Sequence, residues 1–376
     1  HILDPSCGRD EFGELVIRDT KIVPALDGEQ NVQVIDAKGN LVIPGLIDFH
    51  THIAFGLGDA GIHADLMTLP NGITAAVDAG STGTAAFEGF VRHVIPANET
   101  TIKAFMNVTP IGVTTERHNE VPDPKYYDLD RIREMYEKYY PQYMLGLKLR
   151  MGRGFTTGFG IRPLAETKKI AAELGCPVCV HLTDSEVPYE RVLSLLDAGD
   201  ILCHVYQGKG DYTILDQQKH VLDAAKRARE RGVIFDMAAG RINYNLEVLR
   251  CALRDGFPPD IISTDAVATS VYQHKLFHLL YVMSYCLDSG MPLTEVIRCC
   301  TANPAKQMRM EGKIGTLQPG ANADVAIVQL AERQITFQDQ YGNTLPGRHL
   351  LVPLETIKNG KVVYKRIDFE FFDSIT

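Results

Sequence analysis

No run of apolar residues in this chain approaches the roughly 20 that a membrane-spanning helix needs. That excludes a helical membrane protein. Positive charge is also in deficit: 38 Lys and Arg against 47 Asp and Glu give a net charge of −9. A nucleic acid, held mainly through lysine and arginine, is therefore not an expected partner. Cysteine is too sparse for a disulfide scaffold, with eight in 376 residues. Cys203, Cys251 and Cys286 sit inside apolar runs, which suits reduced, buried thiols and a cytoplasmic location. Cys176 and Cys179 form a C-x-x-C without a second pair at zinc-ribbon spacing, and they lead into an apolar strand, so they read as structural. The chain also lacks an initiating methionine. Further sequence is expected before His1, and a removed signal peptide fits that start.

What is present is ordinary globular composition, 45% hydrophobic and 23% charged. This length buries a large core, as one α/β barrel or as two domains. The most informative stretch is Pro44-Gly-Leu-Ile-Asp-Phe-His-Thr-His52. It reads as a short apolar strand ending in polar side chains. Strand side chains alternate, which predicts that Asp48, His50 and His52 share one face. Two imidazoles at i and i+2 on a rigid strand can grip a divalent metal, with Asp48 orienting them from behind. Two unrelated core histidines are the plain alternative, and the rest of the chain decides between them.

Residues 13 to 43 read as short β segments: 14–17, 21–23 and 31–36, with turns at Asp27-Gly28 and Lys38-Gly39-Asn40. The C-terminal end has the same texture, with strands at 324–328, 355–358 and 362–364 and an Asn359-Gly360 hairpin turn. Each end is too short for a stable sheet alone, so residues 1–43 and 316–376 are expected to combine into one small β-sandwich domain. Between them, β and α patterns alternate over 44–315. Strand-like runs end near His52, Asp78, Asn107, Lys148, His181, His204, Asp236 and Asp265. Helical periodicity appears at 164–174, 189–196, 221–231 and 246–253. Eight βα units predict an α/β fold of TIM-type, a (β/α)8 barrel, with a doubly wound sheet as runner-up. Buried parallel strands should be apolar throughout. Eight polar endings are instead what a site at the strand C-termini requires.

His50 and His52, Lys148, His181, His204 and Asp265 are too many ligands for one tetrahedral ion and about right for two. An ammonium beside two cations tends to lose its proton. The neutral amine can then take up CO2 as an anionic carbamate with two bridging oxygens.

These residues resemble the amidohydrolase superfamily, in the subgroup with two metals bridged by a carboxylated lysine. The matching segments are 44–52, Gly146-Leu-Lys-Leu-Arg150, Val180-His-Leu-Thr183, Cys203-His-Val-Tyr206, Ser263-Thr-Asp265, 301–306 and 315–324. Within the superfamily the chain is similar to a dihydroorotase-like branch whose members act as deacetylases on acetylated α-hydroxy acids. The resemblance implies that His50, His52 and Asp265 bind one ion and His181 and His204 the other, zinc being the first choice. It implies carbamylated Lys148 as the bridge, a hydroxide between the ions as nucleophile, and Asp265 as general base and then acid. The expected substrate is a small molecule carrying a carboxylate and an ester or amide carbonyl. A homo-oligomer is compatible with such an enzyme.

Dihydroorotases usually carry an arginine two residues after the second histidine, and here that position is Ala54. Arg150, two residues beyond Lys148, and Arg241, after the seventh strand, are candidate anchors for a substrate carboxylate. Ser81, in Asp78-Ala-Gly-Ser-Thr-Gly83, is a candidate substrate contact, and the polar stretch 114–130 is long enough to be a lid. Other readings compete. A cyclic amide hydrolase would use the same ligands. A non-catalytic assembly protein would be expected to have lost some of them. Gly56-Leu-Gly-Asp-Ala-Gly61 is formally a dinucleotide fingerprint, but it starts several residues after the strand stops. Ala79-Gly80-Ser81 approaches a nucleophile elbow but lacks its first glycine.

Overall fold

The computed structural model describes residues 1–24, 32–273 and 278–369. Seven strands form one parallel sheet in sequence order: Leu46–Thr51, Ile73–Ala79, Thr101–Asn107, Met144–Met151, Val178–Leu182, Ile201–Cys203 and Ile234–Asp236. Each is nearly continuously buried, as strands covered on both faces must be. Helices cross between most of them, including Leu129–Tyr139, Arg162–Leu174, Tyr189–Leu193 and Asp223–Glu230, and the seventh strand is followed by Leu246–Arg254. The last is started by Asn245, whose side-chain oxygen accepts from the Glu247 and Val248 amides at 2.9 and 3.1 Å. The α/β alternation expected from the sequence is therefore present. Among the described residues, no helix is long and apolar enough to cross a membrane.

The eighth expected strand, 261–265, differs from expectation. It forms isolated parallel bridges instead of a ladder, Asp236 with Ile261 on one side and Thr51 with Ala266 on the other. Asp265 has φ +54°, outside the extended region, which interrupts regular pairing. The segment is nonetheless bonded to both edge strands of the sheet. Met237 N donates to Ile261 O at 2.9 Å and Asp265 N to His50 O at 2.7 Å. One face of the sheet gathers Ile47, Phe49, Val77, Phe105, Ile201 and Ile261 into a single apolar cluster. The other face packs against the helices.

Both chain ends meet in a second, six-stranded sheet. Its order is Lys361–Lys365, Thr344–Lys358, Val325–Gln338, Leu41–Pro44, Ile2–Asp4 and Arg9–Glu11. A separate hairpin, Val16–Arg18 with Lys21–Val23, packs Ile17 and Ile22 against Ile2, Val325 and Ile357 of that sheet. The Asn359-Gly360 turn has positive φ at both residues, the geometry of a tight hairpin. The strand expected at 31–36 is absent over 32–36, where Val34 is 79% exposed and has no sheet to pack on. Asn31 and the Asp27-Gly28 turn lie outside the described residues.

A buried ion pair ties the two sheets together. Lys358 Nζ lies 2.7 Å from Asp324 Oδ2 and 2.8 Å from Thr101 Oγ1, which belongs to the parallel sheet. The same carboxylate takes the Asn359 amide at 2.9 Å. Removing one partner of a buried pair strands the other charge. Asp324→Asn should therefore cost about 3 kcal/mol of unfolding free energy, read as a lower urea midpoint. A pairing without energetic weight would leave the midpoint in place.

Candidate metal centre

The parallel sheet delivers its polar residues to one place, the C-terminal ends of its strands. A bulge between Asp48 and Thr51 breaks the alternation of the first strand. Phe49 therefore joins the interior cluster while His50 still reaches the site, and Asp48 is diverted. Its carboxylate accepts from Thr264 N at 3.0 Å and Thr264 Oγ1 at 2.6 Å, so it holds the 261–266 segment to the first strand. The carboxylate bonded to the His50 ring is that of Asp236, 3.0 Å from Nδ1. Asp236 is itself fixed by the Ser263 hydroxyl at 2.5 Å and the Ala238 amide at 3.2 Å.

The other rings are anchored in the same way. His52 Nδ1 lies 2.9 Å from Ser81 Oγ, and Ser81 donates onward to Asp78 Oδ2 at 2.6 Å. His204 Nδ1 is bonded to Ala238 O at 2.7 Å, and His181 Nε2 to Thr183 Oγ1 at 2.9 Å. Each imidazole thus has its outer nitrogen held and its inner nitrogen turned toward the others. His50 Nε2 and His52 Nε2 lie 3.6 and 3.5 Å from Asp265 Oδ1. His181 Nδ1 and His204 Nε2 face each other at 2.7 Å. Two imidazole nitrogens pointed at one another, with their far nitrogens tied down, are an arrangement that one shared proton or a cation satisfies. His50, His52 and Asp265 fit one such ion by distance alone.

The electrostatics suit ligation. Burial pushes His50 and His181 well below the usual histidine range and His204 down to about 3, so all three are neutral donors near pH 7. Burial would raise the Asp265 carboxyl, but a hydrogen bond with His52 and the nearby His204 and His50 rings outweigh it and hold it below the usual carboxylate range. Asn243 Nδ2 occupies Oδ2 of Asp265 at 2.9 Å, leaving Oδ1 to face the imidazoles. His204 and Asp265 both have positive φ, a strain that structures keep where geometry is over-determined.

Lys148 is fully buried, with Nζ 3.4 Å from His50 Nε2, 3.6 Å from Cys179 Sγ and 3.9 Å from Cys203 Sγ. Burial acts to lower its ammonium, but Cys179, Cys203, Asp265 and Asp236 together hold it above its ordinary value. The stem fits because residue 80 is glycine. A Cβ there would lie 2.5 Å from Lys148 Cβ and Cγ.

Of the candidate substrate contacts, Ser81 is engaged with His52. Arg150 Nε lies 3.0 Å from Glu120 Oε1, and Arg241 Nη2 lies 3.3 Å from Glu116 Oε1. Both glutamates belong to the stretch 114–120. That stretch starts after the third strand and reaches Asp59, Gly154, Arg241 and Thr269 with its side chains. The Gly56–Gly61 loop turns back on it, Asp59 N donating to Thr114 O at 2.9 Å. The sequence reading missed Asp236, Asn243 and Glu120 as site residues. Only Asp236 carried a signal, as a polar strand ending.

The sequence model of the amidohydrolase family matches residues 41–364. A deacetylase of Agrobacterium fabrum is 33% identical over 330 residues, covering 88% of this chain and 80% of that protein. A solved dihydroorotase structure superposes with a TM-score of 0.83 at 30% identity, over 92% of this chain and 90% of that one. A solved adenine deaminase gives 0.86 at 27% identity, over 94% and 95%.

If the outer-nitrogen bonds orient the rings, Asp236→Asn and Ser81→Ala should each weaken metal binding about 10–100-fold. Competition with a chromogenic chelator measures this. Unchanged affinity in both would remove the anchoring role.

Proposed function

The chain belongs to the amidohydrolase family and is a hydrolase, and we propose that it cleaves an ester or amide carbonyl of a small, carboxylate-bearing substrate as a deacetylase or esterase. The observation that carries this reading is the set of four anchored imidazoles converging on Lys148 and Asp265. The deacetylase relatives favour an acyl group as the part removed. A cyclic amide substrate is the second reading, supported by the dihydroorotase structure at 30% identity. Ala54 argues against it, because that position offers no cation.

We read the parallel sheet with segment 261–266 as a (β/α)8 barrel of residues 44–315. Residues 1–43 and 316–376 form the accompanying β-sandwich domain in this reading. The bridges from 261–266 to both edge strands support it. The eight free cysteines support a reducing, cytoplasmic setting.

His50, His52 and Asp265 would hold one divalent ion and His181 and His204 a second. Zinc fits the imidazole and carboxylate donors best. When bound, such ions supply carbonyl polarisation and a nucleophilic water at neutral pH. Lys148, converted by CO2 to a carbamate, presents two anionic oxygens where its ammonium would be repelled. Asp265 takes the proton of the attacking water and returns it to the leaving oxygen or nitrogen. Asn243, bonded to Oδ2, fixes the orientation of that carboxylate. Arg150 receives the substrate carboxylate on its guanidinium fork.

Metal analysis should give about two ions per chain, as a two-ion site requires, and a value near zero after zinc supplementation would sink the reading. Lys148→Ala should lose both ions and turnover, with short carboxylates restoring part of each. Asp265→Asn should keep the fold and lose turnover at least ~100-fold, in line with the loss of a general acid–base group. A screen of O-acyl hydroxy acids, N-acyl amino acids and cyclic ureides, run with both enantiomers, separates the two substrate readings.

A further inference from the structure

Arg150 lies near the end of the fourth strand, two residues beyond Lys148. Its guanidinium stacks over the Phe155 ring at 4.0 Å, and that ring meets His181 edge-on at 5.4 Å. The cation is therefore one aromatic ring away from the imidazole pair. Two acceptors reach it from the stretch 114–120. Asn119 Oδ1 takes Nη2 at 3.1 Å, and Glu120 Oε1 lies 3.0 Å from Nε. The Glu120 oxygen sits off the N–H direction, so the buried Nε–H has no aligned acceptor. Glu120 is itself almost fully buried, with its side chain 3% exposed. Its other contact is a long one, 3.5 Å from Asn107 Nδ2. A guanidinium fork binds a carboxylate best with two parallel N–H bonds. Here a buried carboxylate is close enough to balance the charge and too poorly aligned to use the fork.

We propose that Glu120 is a specificity-determining residue: it occupies the place of the substrate carboxylate on Arg150, and binding exchanges one carboxylate for the other. This rests on Arg150 as the carboxylate anchor. The exchange is mechanically open to Glu120, because 114–120 is attached by side-chain bonds to Asp59, Arg241, Thr269 and Gly154 and belongs to no strand. With Glu120 in place, the half-buried guanidinium is neutralised while no substrate is present. An incoming carboxylate that aligns with Nε and Nη2 satisfies the unpartnered N–H and releases Glu120 toward solvent. A neutral substrate has nothing to exchange and leaves Glu120 where it is. Glu120 therefore competes with the substrate anion and sets the acid preference below what Arg150 alone would give.

The test compares an O-acetylated α-hydroxy acid with its carboxamide on zinc-loaded protein. In wild type the acid should be preferred. Glu120→Gln keeps the shape and removes the competing charge. It should raise the acid-to-amide ratio of kcat/KM about tenfold through a lower KM for the acid, the scale of one well-placed charge interaction. Glu120→Ala should move the ratio the same way, and Arg150→Gln should abolish the preference. Calorimetric binding of the free α-hydroxy acid should tighten by a similar factor in Glu120→Gln. A merely structural Glu120 would weaken acid and amide together. If wild type prefers the acid and both Glu120 variants leave the ratio unchanged or lower, the exchange is overturned while Arg150 remains the anchor. If wild type does not distinguish acid from amide, the carboxylate reading fails and the exchange fails with it.

Discussion

The pair of hydrogen bonds from Thr264 to Asp48 holds the candidate centre together. The 261–266 segment forms no ladder, yet it carries Asp265, which must sit beside two histidines of a strand more than two hundred residues earlier. Asp48 fixes it by taking both the amide and the hydroxyl of Thr264. The neighbouring backbone bonds, Asp265 N to His50 O and His52 N to Ala266 O, then set the height of the carboxylate against the imidazoles. Burial raises Asp48 to about 7, so its ionised form exists near neutrality largely because Thr264 donates twice to it. The bulge in the first strand is what frees Asp48 for this task. A strictly alternating strand would have kept it on the same face as the rings.

Around that closure the site is built from four imidazoles with their outer nitrogens tied down. Four different partners do the tying: a carboxylate, a serine relayed to a carboxylate, a backbone carbonyl and a threonine. Such a set is costly for stability alone. Two nitrogens facing each other at 2.7 Å can share at most one proton, and His204 and Asp265 keep backbone angles that side chains disfavour. These features make sense together as preparation for cations, which reward convergent lone pairs and fixed rings.

Much of this was legible in the sequence. Parallel strands buried on both faces are apolar throughout, so a His, Lys, Asn or Asp at each C-terminal end stands out against the background, and this singles out the six proposed ligands. Helices with clean periodicity also lay where expected, with 164–174 observed as Arg162–Leu174. Asp236 could be seen as a strand ending but not as the partner of His50. That pairing depends on which side chains meet across the sheet, and periodicity does not report it. Asn243 and Glu120 sit on loops, where no period exists to reveal them. The sequence predicts only 324–328 and 355–358 of the long strands Val325–Gln338 and Thr344–Lys358, whose polar Glu332-Arg333-Gln334 and Pro346-Gly347 interrupt the apolar pattern. Bulges near Ile327 and Glu332 absorb the irregularity. At 32–36 the opposite error occurred. Alternating valines suggested a strand, but alternation needs a surface to pack on.

Those long strands also explain why the chain-end sheet matters to the chemistry. Their connecting tip, residues 339–343, runs up to the loop that follows the seventh strand. Asp339 Oδ2 takes the Leu246 amide at 2.8 Å, Tyr244 donates its hydroxyl to Gln338 O at 2.9 Å, and Gln340 bonds to Ile242 O. Asn343 adds a longer bond to Asn245, the residue that starts the next helix. This loop carries Asn243, which holds Asp265, and Arg241, which faces Glu116. The loop from Gly240 to Asn245 is also tied by Gly240 N to Thr264 O and Asn245 N to Tyr206 O, both at 2.8 Å. A Cβ at Gly240 would lie 2.8 Å from Asp265 Oδ2, so the loop must also pass unusually close to the carboxylate it supports. Holding a short glycine-containing loop at that distance requires a rigid neighbour. The arm of the second sheet adds to that support, and this places the chain ends in the same mechanical unit as Asp265, the residue proposed to move the proton.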